Sequence, residues 1–255
     1  MQSGANNPLW RNADMNEPTM LESRNVAPDI TSLVSYIPIP GYGVLPVNAF
    51  VIHAEQLVLV DTGLASLRSE FLQELRSVVD PKDLRWIWIT HADMDHLGNL
   101  EAVLSEATNA RIVTTYIGMA KMGLHGLPLD RVFLLNQGQS LNVGDRQLMA
   151  VKPPTFDAPE TAGLLDKKSN TLISADCFGA IIDRPAETAA DIEQNTLRDG
   201  SVLWATIDAP WLSTIDAEKF DRSLAAIEQL NAEVVLSSHL PAAEGMTKTF
   251  ADRHG

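Results

Sequence analysis

Residues Thr90–Gly98 read T-H-A-D-M-D-H-L-G. They follow the β-rich run Arg85–Ile89 (RWIWI) and lead into LGNLEAVLSEAT, Leu97–Thr108, whose apolar residues fall at helical spacing. The stretch is therefore a strand-to-helix loop at the end of a sheet, where α/β architectures build their sites. From His91 to His96 it offers four potential ligands, His91, Asp93, Asp95 and His96. A tight loop turns alternate side chains inward, so His91 and Asp93 can serve one ion while Asp95 and His96 serve a second. Histidine combined with carboxylate suits iron, manganese or zinc. Short His/Asp clusters also occur on solvated loops, and the context separates the two cases. Asp176 follows TLISA and His239 follows VVLSS, so each sits where a strand end delivers a side chain to the same rim.

Outward from the loop, ITSLVSYIPI, VNAFVIHA and QLVLVDTG read as successive strands, broken by Pro40–Gly43 and by Ala54–Gln56. Leu64, Leu67, Phe71, Leu75 and Val78 make the next segment an amphipathic helix. ARIVTT, QLMAVKP, NTLISAD and AEVVLSS read as further strands, and Phe220, Leu224, Ile227 and Leu230 mark a helix over about 217–230. This order predicts an α/β fold with sheets covered by helices. No tandem repeat or long linker divides the chain, so the expected organisation is an irregular arm over residues 1–28 and one domain over 29–255.

The chain has 255 residues, 45% of them hydrophobic, and a net charge of -14, a field that disfavours nucleic acid and anionic membranes. With a single cysteine, Cys177, neither an intramolecular disulfide nor a cysteine-based zinc site can form. The first thirty residues lack the apolar core of a signal peptide, and no window is long and apolar enough to cross a bilayer. The expected location is the cytoplasm.

H-x-D-x-D-H, with Asp61-Thr62-Gly63 upstream and Asp176 and His239 downstream, resembles the metallo-β-lactamase superfamily. The usual motif there is H-x-H-x-D-H, and the resemblance runs in order from about Ile30 to about Pro241. It implies an αββα sandwich, two mixed β-sheets flanked by helices, with two metal ions at the sheet edge. It speaks for the fold more than for the reaction. An acid at Asp93, where hydrolases carry a second histidine, is similar to the flavodiiron and oxygen-binding di-iron branch, which uses glutamate. Ser174–Gly179 (SADCFG) and the stretch from Ile207 through Pro210, a helix and SSHLP are similar to segments of that branch. Carried over, the resemblance implies one ion on His91, Asp93 and Asp176 and a second on Asp95, His96, Asp176 and His239, with Asp176 bridging. Asp93 and Asp95 are the expected catalytic residues. One histidine of the branch does not carry over: its position falls on Phe156, and Asp157 or Glu160 is the candidate substitute. His53, His125 and His254 read as structural or solvated, and Cys177 as packing. Asp61 reads as a tie on the turn before the first helix that can also support a ligand.

Asp93, Asp95 and Asp176, with Asp157 as a fourth carboxylate, lower the Lewis acidity left for activating water and favour higher oxidation states. The reading that follows is a di-iron site, with zinc or manganese as other metals, that binds or reduces dioxygen or nitric oxide as an oxidoreductase or an oxygen sensor. The branch appends a flavodoxin domain. Here the sequence ends at Gly255 and has no phosphate loop to hold a flavin, so the expectation is a stand-alone domain that takes electrons from a separate partner or from a flavin on a neighbouring subunit. The resemblance to the branch implies a homodimer. The alternatives are a dinuclear hydrolase of an ester, lactone, thioester or phosphoester, and a degenerate module binding one ion.

Overall fold

The computed structural model describes residues 16–245, so the first fifteen residues of the expected arm, and His254, lie outside the described residues. The first sheet is built from β1 (Thr19–Met20), β2 (Arg24–Ala27), β3 (Ile30–Ile39), β4 (Gly43–Ile52), β5 (Leu57–Val60), β6 (Leu84–Trp88), β7 (Arg111–Thr114) and β8 (Val132–Leu134). Its order is β1-β3-β4-β5-β6-β7-β8, with β2 also on β3. The pairs from β1 to β5 are antiparallel, and β5, β6, β7 and β8 run parallel. Between these strands lie α1 (Arg68–Val78), α2 (Met94–Leu97), α3 (Leu100–Glu106) and α4 (Tyr116–Leu124). The second sheet comprises β9 (Ser140–Asn142), β10 (Gln147–Val151), β11 (Gly163–Asp166), β12 (Thr171–Ile173), β13 (Val234–Leu236) and β14 (Ala243–Glu244), in the order β14-β13-β12-β11-β10-β9. β12 and β13 are parallel, and α5 (Gln194–Asp208) and α6 (Ala217–Glu228) lie between them in sequence. Both sheets are mixed, as expected.

The arm is not irregular throughout. β3 is ten residues long and would expose a row of backbone donors and acceptors along its free edge. Residues 19–27 satisfy that edge: β1 pairs with Ser35 and Tyr36, and β2 with Ile30 through Ser32.

Period-two alternation sorts the core into layers. On β4, Phe50 and Ile52 face the second sheet, where they meet Leu148, Leu164, Ile173 and Leu236. Ala49 and Val51, the alternate residues, face Phe71 and Leu75 of α1 and Leu100, Val103 and Leu104 of α3. On the other side, Phe220, Leu224 and Ile227 of α6 pack on Leu165, Leu172 and Val235. Their spacing of four and three residues makes one helical stripe, and each such buried side chain contributes roughly 1.5–3 kcal/mol. Asp216 caps α6 by accepting the Lys219 N–H at 3.0 Å. The layers are thus helix, sheet, sheet, helix.

Candidate metal centre

Parallel pairing places the site. The C-terminal ends of β5 and β6, neighbours in the first sheet, deliver Asp61 and His91. Those of β12 and β13, neighbours in the second, deliver Asp176 and His239. The loop 153–162 closes the rim: the Ala162 N–H donates to Thr90 O at 2.9 Å, and the Trp88 indole donates to Ala162 O at 3.0 Å.

Asp176 sits at the centre, buried with His91, His96 and His239. Its Oδ2 lies 3.2 Å from His91 Nε2, while its Oδ1 lies 3.1 Å from His96 Nε2 and 3.2 Å from His239 Nε2. Each oxygen therefore faces a different set of donors. Asp95 Oδ2 completes the second set, 3.5 Å from both His96 and His239 Nε2. On the first side, ligand atoms of His91, Asp93 and Asp157 all lie within 4.8 Å of one another. The structure thus brings together all six residues singled out in the sequence, and Asp157 with them.

The imidazoles are aimed from behind. His96 Nδ1 donates to Asp61 Oδ2 at 2.8 Å, and His239 Nδ1 donates to Pro46 O at 2.7 Å. His91 Nδ1 lies 3.1 Å from the Thr90 hydroxyl, which in turn donates to Asp61 Oδ2 at 2.7 Å. With Nδ1 occupied, every ring presents Nε2 to the centre, the arrangement that fixes a metal-binding tautomer. Asp61 also accepts the Thr90 N–H at 2.9 Å, so it supports two rings and the turn at once. Asp61 and Ala175 both adopt left-handed backbone, with φ of 59° and 55°, so the residues that aim the ligands sit in conformations L side chains rarely take. Replacing Asp61 by Asn is expected to weaken metal binding about 10- to 100-fold, read by competition with a chelator. Unchanged affinity would remove Asp61 from this role.

Burial alone would push the Asp176 carboxyl up, but His91, His239 and His96 hold it well below the usual carboxylate range. Burial likewise opposes the charge on His239, yet Asp176 and Asp95 push it up to about 9. His96 is raised well above its ordinary value, against burial, by Asp95, Asp176 and Asp61. Asp157 is pushed up to about 6 by burial, against the pull of His91 and with Asp93 adding to the rise.

A cation fits these residues. His91 Nε2, His96 Nε2 and Asp176 Oδ1 are buried and make no hydrogen bond, although they crowd one another. Buried polar atoms are ordinarily satisfied, and a positive ion among them would satisfy all three.

Phe156 turns away from the centre. Its ring packs on Trp211 at 5.0 Å between centroids and lies 3.4 Å under the Lys152 ammonium. Glu160, the other candidate substitute, is buried elsewhere, 2.7 Å from Lys121 Nζ. His53 Nε2 binds the Thr31 hydroxyl at 2.8 Å and His125 is exposed after α4, both away from the centre. Cys177 is buried, its thiol pushed up to about 12 by burial.

Two residues of the rim are unannounced in the sequence pattern, both on α5. Trp204 packs on His239 with ring centroids 4.5 Å apart and the planes tilted by 53°, and donates to Asp176 O at 3.1 Å. Asp208 ends the helix with a ligand atom within 4.8 Å of those of Asp157 and Asp176. Gly179 leaves room for this contact, since a Cβ there would lie 2.7 Å from both Trp204 Nε1 and His239 Cβ. Gly179→Ala is expected to cost about 1–3 kcal/mol and to displace His239, read by denaturant unfolding together with metal content. A variant with both unchanged would refute the contact.

A profile of the Metallo-beta-lactamase superfamily matches residues 42–239. The chain belongs to that superfamily. Within it, relatives are flavodiiron-type proteins. The superfamily domain is 28% identical over 162 residues to the rubredoxin-oxygen oxidoreductase of Megalodesulfovibrio gigas, covering 62% of this chain and 40% of that protein. It is 31% identical over 134 residues to the anaerobic nitric oxide reductase flavorubredoxin of Salmonella typhi, covering 52% of this chain and 28% of that one. The chain thus spans less than half the length of these curated relatives. In fold, it superposes on the flavodiiron protein of Giardia intestinalis with a TM-score of 0.76 at 18% identity, covering 93% of this chain and 59% of that one. Among the described residues, no helix is long and apolar enough to cross a membrane.

Proposed function

We propose that this superfamily domain holds two iron ions and binds or reduces dioxygen or nitric oxide. His91, Asp93, Asp157 and Asp176 would hold one ion, and Asp95, His96, His239 and Asp176 the other. The observation that carries the reading is Asp157: where the branch has histidine, this chain brings a further carboxylate to His91 and Asp93. Four carboxylates around two ions favour redox chemistry over the activation of water. Two relatives, a rubredoxin-oxygen oxidoreductase and an anaerobic nitric oxide reductase flavorubredoxin, support the same direction. The chemistry supplied by iron, when bound, is one-electron transfer from each ion to a diatomic gas.

The residues of the chain do the rest. Asp61, Thr90 and the Pro46 carbonyl keep the three imidazoles oriented through a redox cycle. Trp204 covers His239 and limits water on that side. Asp93 and Asp95, partly exposed, border the opening through which a small molecule reaches the ions. Electrons come from a separate donor in this reading, and the domain works as a homodimer.

The test is metal analysis and stopped-flow spectroscopy on anaerobically purified protein. About two irons per chain and a visible band that changes on mixing with oxygen or nitric oxide are expected. Zinc without such a band, together with turnover of an ester or lactone, would overturn the reading in favour of a hydrolase. A single ion indifferent to gas would leave only a binding module.

A further inference from the structure

We propose that Asp208 is itself a metal ligand, and that it makes the two positions of the centre chemically unequal. The inference rests on the dinuclear reading above.

Helix α5 is fixed against the site at two points before it reaches Asp208. Gly200 lies so close to Ile181 that a Cβ would collide with the Ile181 carbonyl, and its own carbonyl accepts the Ile181 N–H at 3.3 Å. One turn later, the Trp204 indole donates to the backbone oxygen of Asp176. Residues four apart share a helix face, so the register that turns Trp204 inward turns Asp208 inward as well. Asp208 is 8% exposed. Among the described residues its carboxylate has no ion pair and no hydrogen bond, whereas Asp216 at the start of α6 accepts the Lys219 N–H. A largely buried carboxylate without a partner is costly, and two more carboxylates within 4.8 Å add repulsion. Asp176, within the same reach, has a fully buried Oδ1 that makes no hydrogen bond and faces the His96 and His239 Nε2 atoms. Two ligands on one ion at about 2.1 Å each lie at most roughly 4.2 Å apart, and the mutual reach of Asp157, Asp176 and Asp208, within 4.8 Å, is closed by small side-chain rotations.

With Asp208 included, the first position has one nitrogen, from His91, and oxygens from Asp93, Asp157, Asp176 and Asp208. The second has two nitrogens, from His96 and His239, and oxygens from Asp95 and Asp176. Carboxylate-rich surroundings suit a harder ion and imidazole a more borderline one. The first position is therefore the one that tolerates manganese, and the second is the one that retains zinc.

The test uses the full chain equilibrated with Mn2+ and Zn2+ over a series of ratios. Anomalous diffraction at the two absorption edges then reads each position separately. Manganese should replace zinc at the His91 position at a ratio at least about tenfold lower than at the His96–His239 position. In the manganese form an Asp208 oxygen should lie within roughly 2.3 Å of the ion. Asp208→Asn should lower manganese at the first position about tenfold and leave zinc at the second, while Asp208→Glu should keep both. Two ions exchanging at the same ratio, or an Asp208 oxygen beyond roughly 3 Å from the ion, would overturn the proposal and leave the dinuclear reading standing. Absence of bound metal in the unaltered protein would overturn both.

Discussion

Asp176→Asn is expected to strip the protein of metal at both positions at once. The native carboxylate faces His91 with one oxygen and His96 and His239 with the other, so no other single side chain serves both sets. An amide keeps one oxygen and turns a weakly basic nitrogen to the other side. Metal retained after dialysis should fall from about two ions per chain to below about 0.2, and affinity at each position by about a thousandfold. Stability should fall too. Three buried imidazoles lose the charge they surround, and breaking a buried ion cluster from one side costs about 3–5 kcal/mol. Mass spectrometry for metal and urea unfolding of the same preparation read the two effects together. A variant that keeps both ions would show that Asp176 does not join the two positions.

The second large effect is a reversal of pH dependence on removing the ions. In the metal-free protein the charge on His239 is opposed by burial but held by Asp176 and Asp95, so its folded pKa of about 9 exceeds the 6.5 of an unperturbed histidine. A group raised in this way stabilises fully below pH 6.5, and that stability is lost as pH rises toward 9. His91 and His96 are raised as well and act with the same sign. Asp208, pushed up to about 7 by burial with Asp176 and Asp157 adding to it, favours the protonated folded state and also loses stability as pH climbs. The loss between pH 6.5 and 9 should be on the order of 2 kcal/mol in chelator-treated protein. In the metal-loaded protein the sign inverts, because protons compete with the ions for Nε2 and the carboxylates, so stability should rise over the same interval. Melting curves of both forms at the two pH values decide it. A metal-free protein that grows more stable toward pH 9 would sink the argument.

Much of this was legible from the chain. Thr90–Gly98, Asp176 and His239 announce themselves because ligand chemistry needs particular residue types at strand ends, and those leave a pattern. The strands β3 to β6 and the helices α1 and α6 were equally plain, since their apolar spacing is dictated by one buried face each. What stayed hidden was α5. Its inner face carries Gly200, Ser201 and Asp208 beside Leu197, so most of its buried residues are small or polar groups suited to close approach and to the site. Trp204 and Asp208 were hidden with it. Asp208 lies within the Ile207–Pro210 stretch similar to the flavodiiron branch, yet similarity gave it no role. By sequence Asp157 and Glu160 are equal candidates, and packing separates them: Glu160 is drawn to Lys121, while Phe156 packs on Trp211 and Asp157 lies within reach of His91 and Asp93. The strands at 19–27 were missed because two- and four-residue strands leave too short a pattern to read.

The delivery of ligands by parallel strands from both sheets has a consequence for the order in which the protein matures. His91 belongs to the first sheet and His239 to the second, and the chain between them holds the five helices α2 to α6 and strands of both layers. Contacts that distant in sequence form late, after the entropy of closing long loops has been met by core packing. Neither half alone offers a complete position, because the shared Asp176 comes from the second sheet and His91 and His96 from the first. On the dinuclear reading proposed above, a nascent chain captures ions only loosely, and firm loading follows docking of the two sheets. In that reading metal uptake is the final check on assembly: a chain whose halves have not met is not loaded, and a loaded one is clasped across its own middle.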